Sequence, residues 1–356
     1  MQPTVPHQYV QRGTRRVRDE ALIADQVIRY IYSNQRESTS TLFRVLTSAR
    51  VSRLLAYFNF DFPMGEAFGG GRRLLSRLGV DASECLDAPE QLNTARKVFE
   101  RKIRYWEKRP MPEADTAVVS PADAKMIAGS FAEESMLFIK EKFFHFTELL
   151  GTDKQAWLAV FAEGDFAVFR LTPDKYHYNH TPVSGRVLDI YEIDGRYHSC
   201  NPSAVVALAT PFSKNKRVVT VIDTDVAGGS QVGRVAMIEI TALMIGDIVQ
   251  CYSAARYDSP QEVKPGMMLR KGQPKSLYRP GSSVDVLVFE KGRIQFSVDI
   301  LHNLNRTDIQ SRFSRNFNKP LVETEVAVRS EIASGIAGVE QNIEDGPDCK
   351  KGEVAC

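Results

Sequence analysis

The apolar residues of this chain change their spacing near position 117. Before it, Leu22, Ile23, Val27, Ile28 and Ile31 recur at three- and four-residue steps and predict a helix over 19–33. Phe43, Leu46, Leu54, Leu55 and Phe58 predict a second helix over 41–58, with Arg44, Arg50 and Arg53 among them. Gly69-Gly70-Gly71 then breaks the pattern, and a third helical stretch, 90–108, ends before Arg109-Pro110. From Ala117 onward short β-rich runs take over, at 118–119, 166–169, 187–190, 218–222, 235–238, 284–289 and 294–298, with Pro, Gly and Asp between them. A helix near 135–150 interrupts them. The predicted class is α+β: a mainly antiparallel, sandwich-like β domain over 106–330, preceded by a helical region over 1–105. Past 330 the residues turn small, polar and acidic, so 331–356 is expected to be a disordered tail.

Composition narrows the classes. With 356 residues, 43% hydrophobic and 25% charged, the chain is an ordinary globular protein. Lys plus Arg number 46 against 44 for Asp plus Glu, which gives no basic field for nucleic acid. The five cysteines are scattered without a C-x-x-C spacing, so neither a disulfide framework nor a zinc site is expected, and the compartment reads as cytoplasmic. Residues 1–20 are polar and lack the apolar segment of a signal peptide. No run of about 18 apolar residues occurs, so any membrane contact is expected to be peripheral. The arginine-bearing apolar stripe of 41–58 suits an anionic membrane surface, although such stripes also pack on their own domain.

Three distant stretches combine into chemistry. Gly281-Ser282 follows a loop and precedes the apolar run 284–289. Glycine has no Cβ, so its carbonyl is open to attack. The hydroxyl of the next serine can attack it and turn the amide into an ester. Elimination across the serine Cα–Cβ bond then cuts the chain, and loss of ammonia leaves a pyruvoyl group at 282. The attack needs a base, and a histidine oriented by a carboxylate is a common solution. Asp123, His180 and Ser282 supply such a set. Plainer readings stay open for each: Gly-Ser-Ser as a turn, His177 and His180 as structural residues or a metal pair, Asp123 as a turn cap.

Over about residues 95–300 the sequence resembles the phosphatidylserine decarboxylases, pyruvoyl-dependent enzymes that mature by self-cleavage. The resemblance is carried by Phe99-Glu100-Arg101, Arg109-Pro110, Pro121-Ala122-Asp123, the segment Tyr176-His177-Tyr178-Asn179-His180-Thr181-Pro182, Lys271-Gly272-Gln273 and Pro280-Gly281-Ser282-Ser283. It implies that Asp123 and His180 are triad carboxylate and base, that Ser282 is the pyruvoyl precursor, and that His177 assists decarboxylation or proton return. It also implies cleavage between Gly281 and Ser282 into a β chain, 1–281, and an α chain from 282. Two positions depart from the family pattern. Pro280 stiffens the segment before the cut, and Glu239 brings a carboxylate either into the pocket or to solvent.

The function that the resemblance implies is decarboxylation of phosphatidylserine to phosphatidylethanolamine at a membrane surface. The partners are then a phospholipid bilayer and the chain's own two fragments, with a homodimer among the assemblies left open and no resident metal. One rival is a soluble pyruvoyl-dependent amino-acid decarboxylase of the same family. Another is a non-catalytic carrier module, because Ile245-Gly246-Asp247-Ile248 and Val263-Lys264-Pro265-Gly266 resemble lipoyl-type hairpins, without the lysine motif such domains carry.

Overall fold

A computed structural model of the chain describes residues 6–22, 25, 75–76, 78–132, 143–208, 210–242, 247–280 and 283–336. The strands are β1 (Gln8–Gln11), β2 (Arg16–Asp19), β3 (Ala117–Val119), β4 (Ala124–Ser130), β5 (Asp165–Leu171), β6 (Tyr178–His180), β7 (Gly185–Ile193) and β8 (Arg217–Asp223). There follow β9 (Arg234–Thr241), β10 (Ile248–Gln250), β11 (Met268–Leu269), β12 (Pro274–Tyr278), β13 (Ser283–Phe289), β14 (Ile294–Phe296), β15 (Thr324–Val326) and β16 (Glu331–Gly335). Ten of them form one sheet in the order β11-β7-β8-β9-β13-β5-β4-β15-β1-β2. Two three-stranded sheets, β10-β12-β6 and β14-β16-β3, accompany it. Among the described strand pairs all are antiparallel except β1 with β15.

Period-two alternation assigns the two faces of the large sheet. Ala124, Met126, Phe169, Leu171, Met237 and Leu287 share a core with Val118, Tyr278, Phe296 and Ile332 of the small sheets. Ile127, Val168, Ile238, Val284 and Val286 face the other way, into a phenylalanine-rich core with Phe143, Phe161, Phe212 and Phe313. That second layer is helical: α3 (Phe146–Leu150), α4 (Gln155–Phe161), α5 (Pro202–Ala207), α6 (Pro211–Lys214), α7 (Val298–Leu304) and α8 (Arg312–Phe317), after two short helices nearer the N-terminus, α1 (Ala95–Phe99) and α2 (Tyr105–Lys108). Both faces of β13 are therefore covered, and all seven of its residues are buried. It is bonded in register to β9 and β5, from Ser283↔Thr241 and Ser283↔Leu171 to Phe289↔Val235 and Phe289↔Asp165.

Several expectations are corrected. Residues 16–19 form a strand, β2, so the helix expected over 19–33 does not begin at Asp19, and most of that stretch lies outside the described residues. The expected helix over 41–58 lies outside the described residues, as does most of the expected N-terminal region. The stretch 90–108 is two helices, because α1 ends at Phe99 and Ile103 makes a β-bridge to Cys85 before α2 begins. The apolar run 294–298 stops as a strand at Phe296, and Val298 opens α7. Glu331–Gly335, assigned by sequence to the tail, is a strand between β3 and β14, held by buried Ile332 and Ala333. The N-terminal segment is tied down by charge. Arg170 of β5 meets the carboxylates of both Glu20 and Glu323, and His7 Nε2 lies 2.7 Å from Glu323.

Candidate active site

The loop between β3 and β4 carries Asp123, and β6 ends at His180. A backbone bond from His180 N–H to the Pro121 carbonyl, 2.7 Å, brings the two together. Both are buried. The carboxylate of Asp123 is gripped by Arg109, Nε to Oδ1 at 3.1 Å and Nη2 to Oδ2 at 2.8 Å, and by the Val328 N–H at 2.7 Å. Burial alone raises its pKa, but the Arg109 guanidinium and these bonds outweigh it, so the group sits below the usual carboxylate range. Arg109 also binds Glu84.

His180 has other partners. Its Nδ1 lies 2.8 Å from the Gly272 carbonyl and its Nε2 lies 3.0 Å from the Tyr176 hydroxyl. A carbonyl only accepts, so Nδ1 carries the proton and Nε2 is the basic nitrogen. Among the described residues no hydrogen bond joins Asp123 to this ring. The carboxylate acts on it through space, while the Gly272 carbonyl orients it. Gly272 has φ of +72°, a conformation that L side chains rarely adopt, so this turn favours glycine to aim its carbonyl. Desolvation, with the charge of Arg329, pulls the His180 pKa down to about 3.

His177 sits in the strand-entry turn before β6. Its Nδ1 donates to the Lys175 carbonyl at 2.7 Å and its ring stacks on Phe99 of α1, centroids 3.5 Å apart. Its Nε2 is buried and has no hydrogen-bond partner among the described residues. Burial first, and then the charge of Arg101, lowers its pKa to about 3, so it is neutral near pH 7.

Gly281 and Ser282 lie outside the described residues; their neighbour Ser283 opens β13. On the same face of β13 as Ser283 is Asp285, directly across from Glu239 of β9. Glu239 does not face solvent. It is fully buried, 2.7 Å from Lys275 Nζ and 2.9 Å from Gln250 Nε2, and it also binds Ser276 and Asn179. Burial raises its pKa, and Lys275 brings it below the usual range. Asp285 has no such cation. Burial and the facing Glu239 push its pKa well up, and it accepts from the Tyr278 hydroxyl at 2.7 Å. Burial and the facing carboxylate therefore both favour the protonated form of Asp285. Its Oδ2, Ser283 Oγ and Asn179 Oδ1 are buried without partners among the described residues.

Sequence reading named Asp123, His177, His180 and Ser282; the structure brings the Asp123 loop to His180, holds His177 three residues earlier against Phe99, and leaves Ser282 outside the described residues. It missed the Gly272 carbonyl, which no side-chain pattern reveals, the hydroxyl on Nε2 and Asp285. Arg109 and Tyr176 stood in quoted motifs, so their neighbours were the available signal.

The family model described as "Phosphatidylserine decarboxylase" matches residues 95–309. A phosphatidylserine decarboxylase proenzyme of Fusobacterium nucleatum subsp. nucleatum is 26% identical over 299 residues, 83% of this chain and 91% of the relative. One from Bordetella petrii is 31% identical over 63% of this chain and 79% of its own length. Proenzyme 2 of Oryza sativa subsp. japonica is 32% identical over 64% of this chain and 34% of its own length.

Proposed function

The chain belongs to the phosphatidylserine decarboxylase family, and from that premise we propose that it cuts itself between Gly281 and Ser282 and decarboxylates phosphatidylserine to phosphatidylethanolamine. It is a carboxy-lyase. The observation that supports the site assignment is the bond from the His180 N–H to the Pro121 carbonyl, which sets the oriented imidazole beside the loop that carries Asp123.

A pyruvoyl group at position 282 fits the residues around it. Its carbonyl oxygens only accept, and the Oγ of Ser283, next in the chain, is a buried hydroxyl donor without a partner among the described residues. Such a ketone supplies an electrophile for the substrate's amino group and a sink for the electrons left by departing carbon dioxide. The rest falls to the protein. His177 Nε2, neutral and without a hydrogen-bond partner among the described residues, takes the proton that the substrate ammonium sheds and later returns it to Cα. Phe99 and the Lys175 carbonyl fix the ring for both transfers. His180, oriented by Gly272, serves the earlier self-cleavage. His177→Ala is therefore expected to leave cleavage intact while lowering turnover by roughly 100-fold or more. Gel mobility of the two fragments beside carbon dioxide release measures both, and equal loss of the two sinks the division of labour.

The substrate is placed at a bilayer surface from which the protein can detach. No helix among the described residues is long and apolar enough to cross a membrane. The deciding experiment compares carbon dioxide release from phosphatidylserine vesicles with release from free amino acids, alongside intact mass and sedimentation with the vesicles. Two fragments, release from vesicles and co-sedimentation are expected. Release from free amino acids alone would favour the soluble decarboxylase reading.

A further inference from the structure

A buried cluster of charge holds the end of β2 against β5. Arg170 gives Nη1 and Nη2 to the two oxygens of Glu20, at 2.8 and 2.5 Å, and Nε and Nη2 to those of Glu323, at 3.0 and 2.6 Å. Lys125 of β4 lies opposite Arg170 in the sheet. All four side chains are 4% exposed or less. Lys125 is the poorly served member. Its Nζ is 3.9 Å from Glu20 and 4.6 Å from the centre of the Tyr9 ring, and its one hydrogen bond among the described residues runs 3.5 Å to Thr172 Oγ1. An ammonium carries three donors, and a buried one without short acceptors is costly. Lys175, the next cation, is already taken by Glu325 at 2.5 Å.

The two carboxylates are held differently. Glu323 leads straight into β15, which is paired along both edges. His7 accepts the Arg312 N–H at Nδ1, so its Nε2 hydrogen points to Glu323, 2.7 Å away. Glu20 belongs to no strand. It follows β2, an exposed strand at the edge of the sheet, and Ala21 and Leu22 after it are in neither strand nor helix. Among the described residues only Arg170 hydrogen-bonds its carboxylate. Glu20 and Leu22 also line a cavity of about 70 Å³, together with Arg170 and Thr172 at the end of β5 and Ser199 and Asn201 before α5. Leu171, in the same lining, pairs with Ser283 at the start of β13.

Without Glu20 the cluster would hold two cations and one carboxylate, which leaves room for one negative charge. A guanidinium offers its paired N–H groups to phosphate as well as to carboxylate. Lys125 would gain the close acceptor that Glu20, at 3.9 Å, does not give it. Burial lowers the Lys125 pKa and Glu20 opposes that, as an incoming anion also would. We propose that Arg170, Lys125 and Thr172 form a phosphate-ester site, and that Glu20 fills it as an internal stand-in that leaves when the ligand arrives. The shared chemistry is a phosphate oxyanion, supplied either by the phosphodiester of a lipid head group or by free phosphate. The lipid source rests on the function proposed above, and it would set the head group beside the start of β13. The free-phosphate source does not depend on that function.

The test uses the full-length Ser282→Ala chain, so that neither cleavage nor turnover enters. Thermal unfolding is followed against inorganic phosphate and, separately, glycerophosphoserine. Glu20→Gln is expected to raise the apparent affinity for at least one of them by roughly 100-fold, because the competing carboxylate is gone and a buried cation is left to pair. Adding Lys125→Met should abolish that gain. Phosphate also stabilises folded proteins by exclusion from their surface, but that effect is common to both variants. Tighter binding of glycerophosphoserine identifies the head group as the source, and a response to phosphate alone identifies the free anion. If Glu20→Gln responds no more than its parent, or if Lys125→Met leaves the gain intact, the proposal is overturned and the cluster is a structural clamp. Should Glu20→Gln fail to fold in chloride, refolding in phosphate decides: recovery there supports the site, and none overturns it. Cleavage and carbon dioxide release by the wild type are separate readouts. Their failure would sink the proposed function and leave the phosphate result standing.

Discussion

Ser282→Ala is expected to leave the purified protein as one chain of 39.9 kDa with no decarboxylase activity, where the parent runs as two. The neighbouring serine cannot take over. Ser283 is already in β13, bonded in register to Leu171 on one side and Thr241 on the other, so its preceding peptide enters a pleat held from both edges. A hydroxyl attack bends the backbone back on itself, which the ladder resists. Ser283→Ala should accordingly still be cut. Activity loss in Ser282→Ala should be complete within detection, because the reactive carbonyl would never form. Intact-mass spectrometry decides the matter: two fragments from Ser282→Ala would end the assignment, and so would a single chain that still releases carbon dioxide.

The second large effect concerns stability. Glu239 and Lys275 form an ion pair with both side chains fully buried, and Asp285 faces the same carboxylate across β9 and β13. Removing one partner of such a pair typically costs about 3–5 kcal/mol, because an unpaired charge remains in a low dielectric. Lys275→Met should therefore lower unfolding stability by that order, with Gln250, Ser276 and Asn179 left to bond a carboxylate lacking its cation. The double replacement Glu239→Leu with Lys275→Met should regain most of the loss, since apolar residues of similar size often match a buried pair. Urea unfolding in the Ser282→Ala background keeps one chain and one transition. If the single and double variants lose equally, the pair contributes through packing and not through charge.

The central strands were legible because they are covered on both faces. Runs such as 218–222 and 284–289 are nearly unbroken apolar stretches, and that pattern survives without any partner being known. The edge hairpin of β1 and β2 was not legible. Arg16–Asp19 is exposed and charged at three of four positions, so nothing in it alternates. Glu331–Gly335 hid for the opposite reason: Ala333, Ser334 and Gly335 look like linker, and only the burial of Ile332 and Ala333 between β3 and β14 makes them sheet. At the site, side chains with distinctive chemistry were found and backbone groups were not. His180 was named from its motif, but its orienting partner is a carbonyl of Gly272, which any residue type possesses. The upward shift of the Asp285 pKa comes from burial and then from Glu239, 46 positions earlier in sequence and opposite it in space.

The position of β13 has one more consequence. It is the middle strand of a shared sheet, and β15 and β16, which follow it, are knitted to strands that precede it. A cut before Ser283 thus yields two polypeptides that cannot drift apart on dilution, since fully buried β13 stays bonded on both edges to strands of the other fragment. Denaturant frees them, and then reunion demands a collision of two molecules, while the severed peptide has no means of being rejoined. Recovery after unfolding should depend on protein concentration for the cut form alone, so that maturation trades a renewable fold for a one-way assembly.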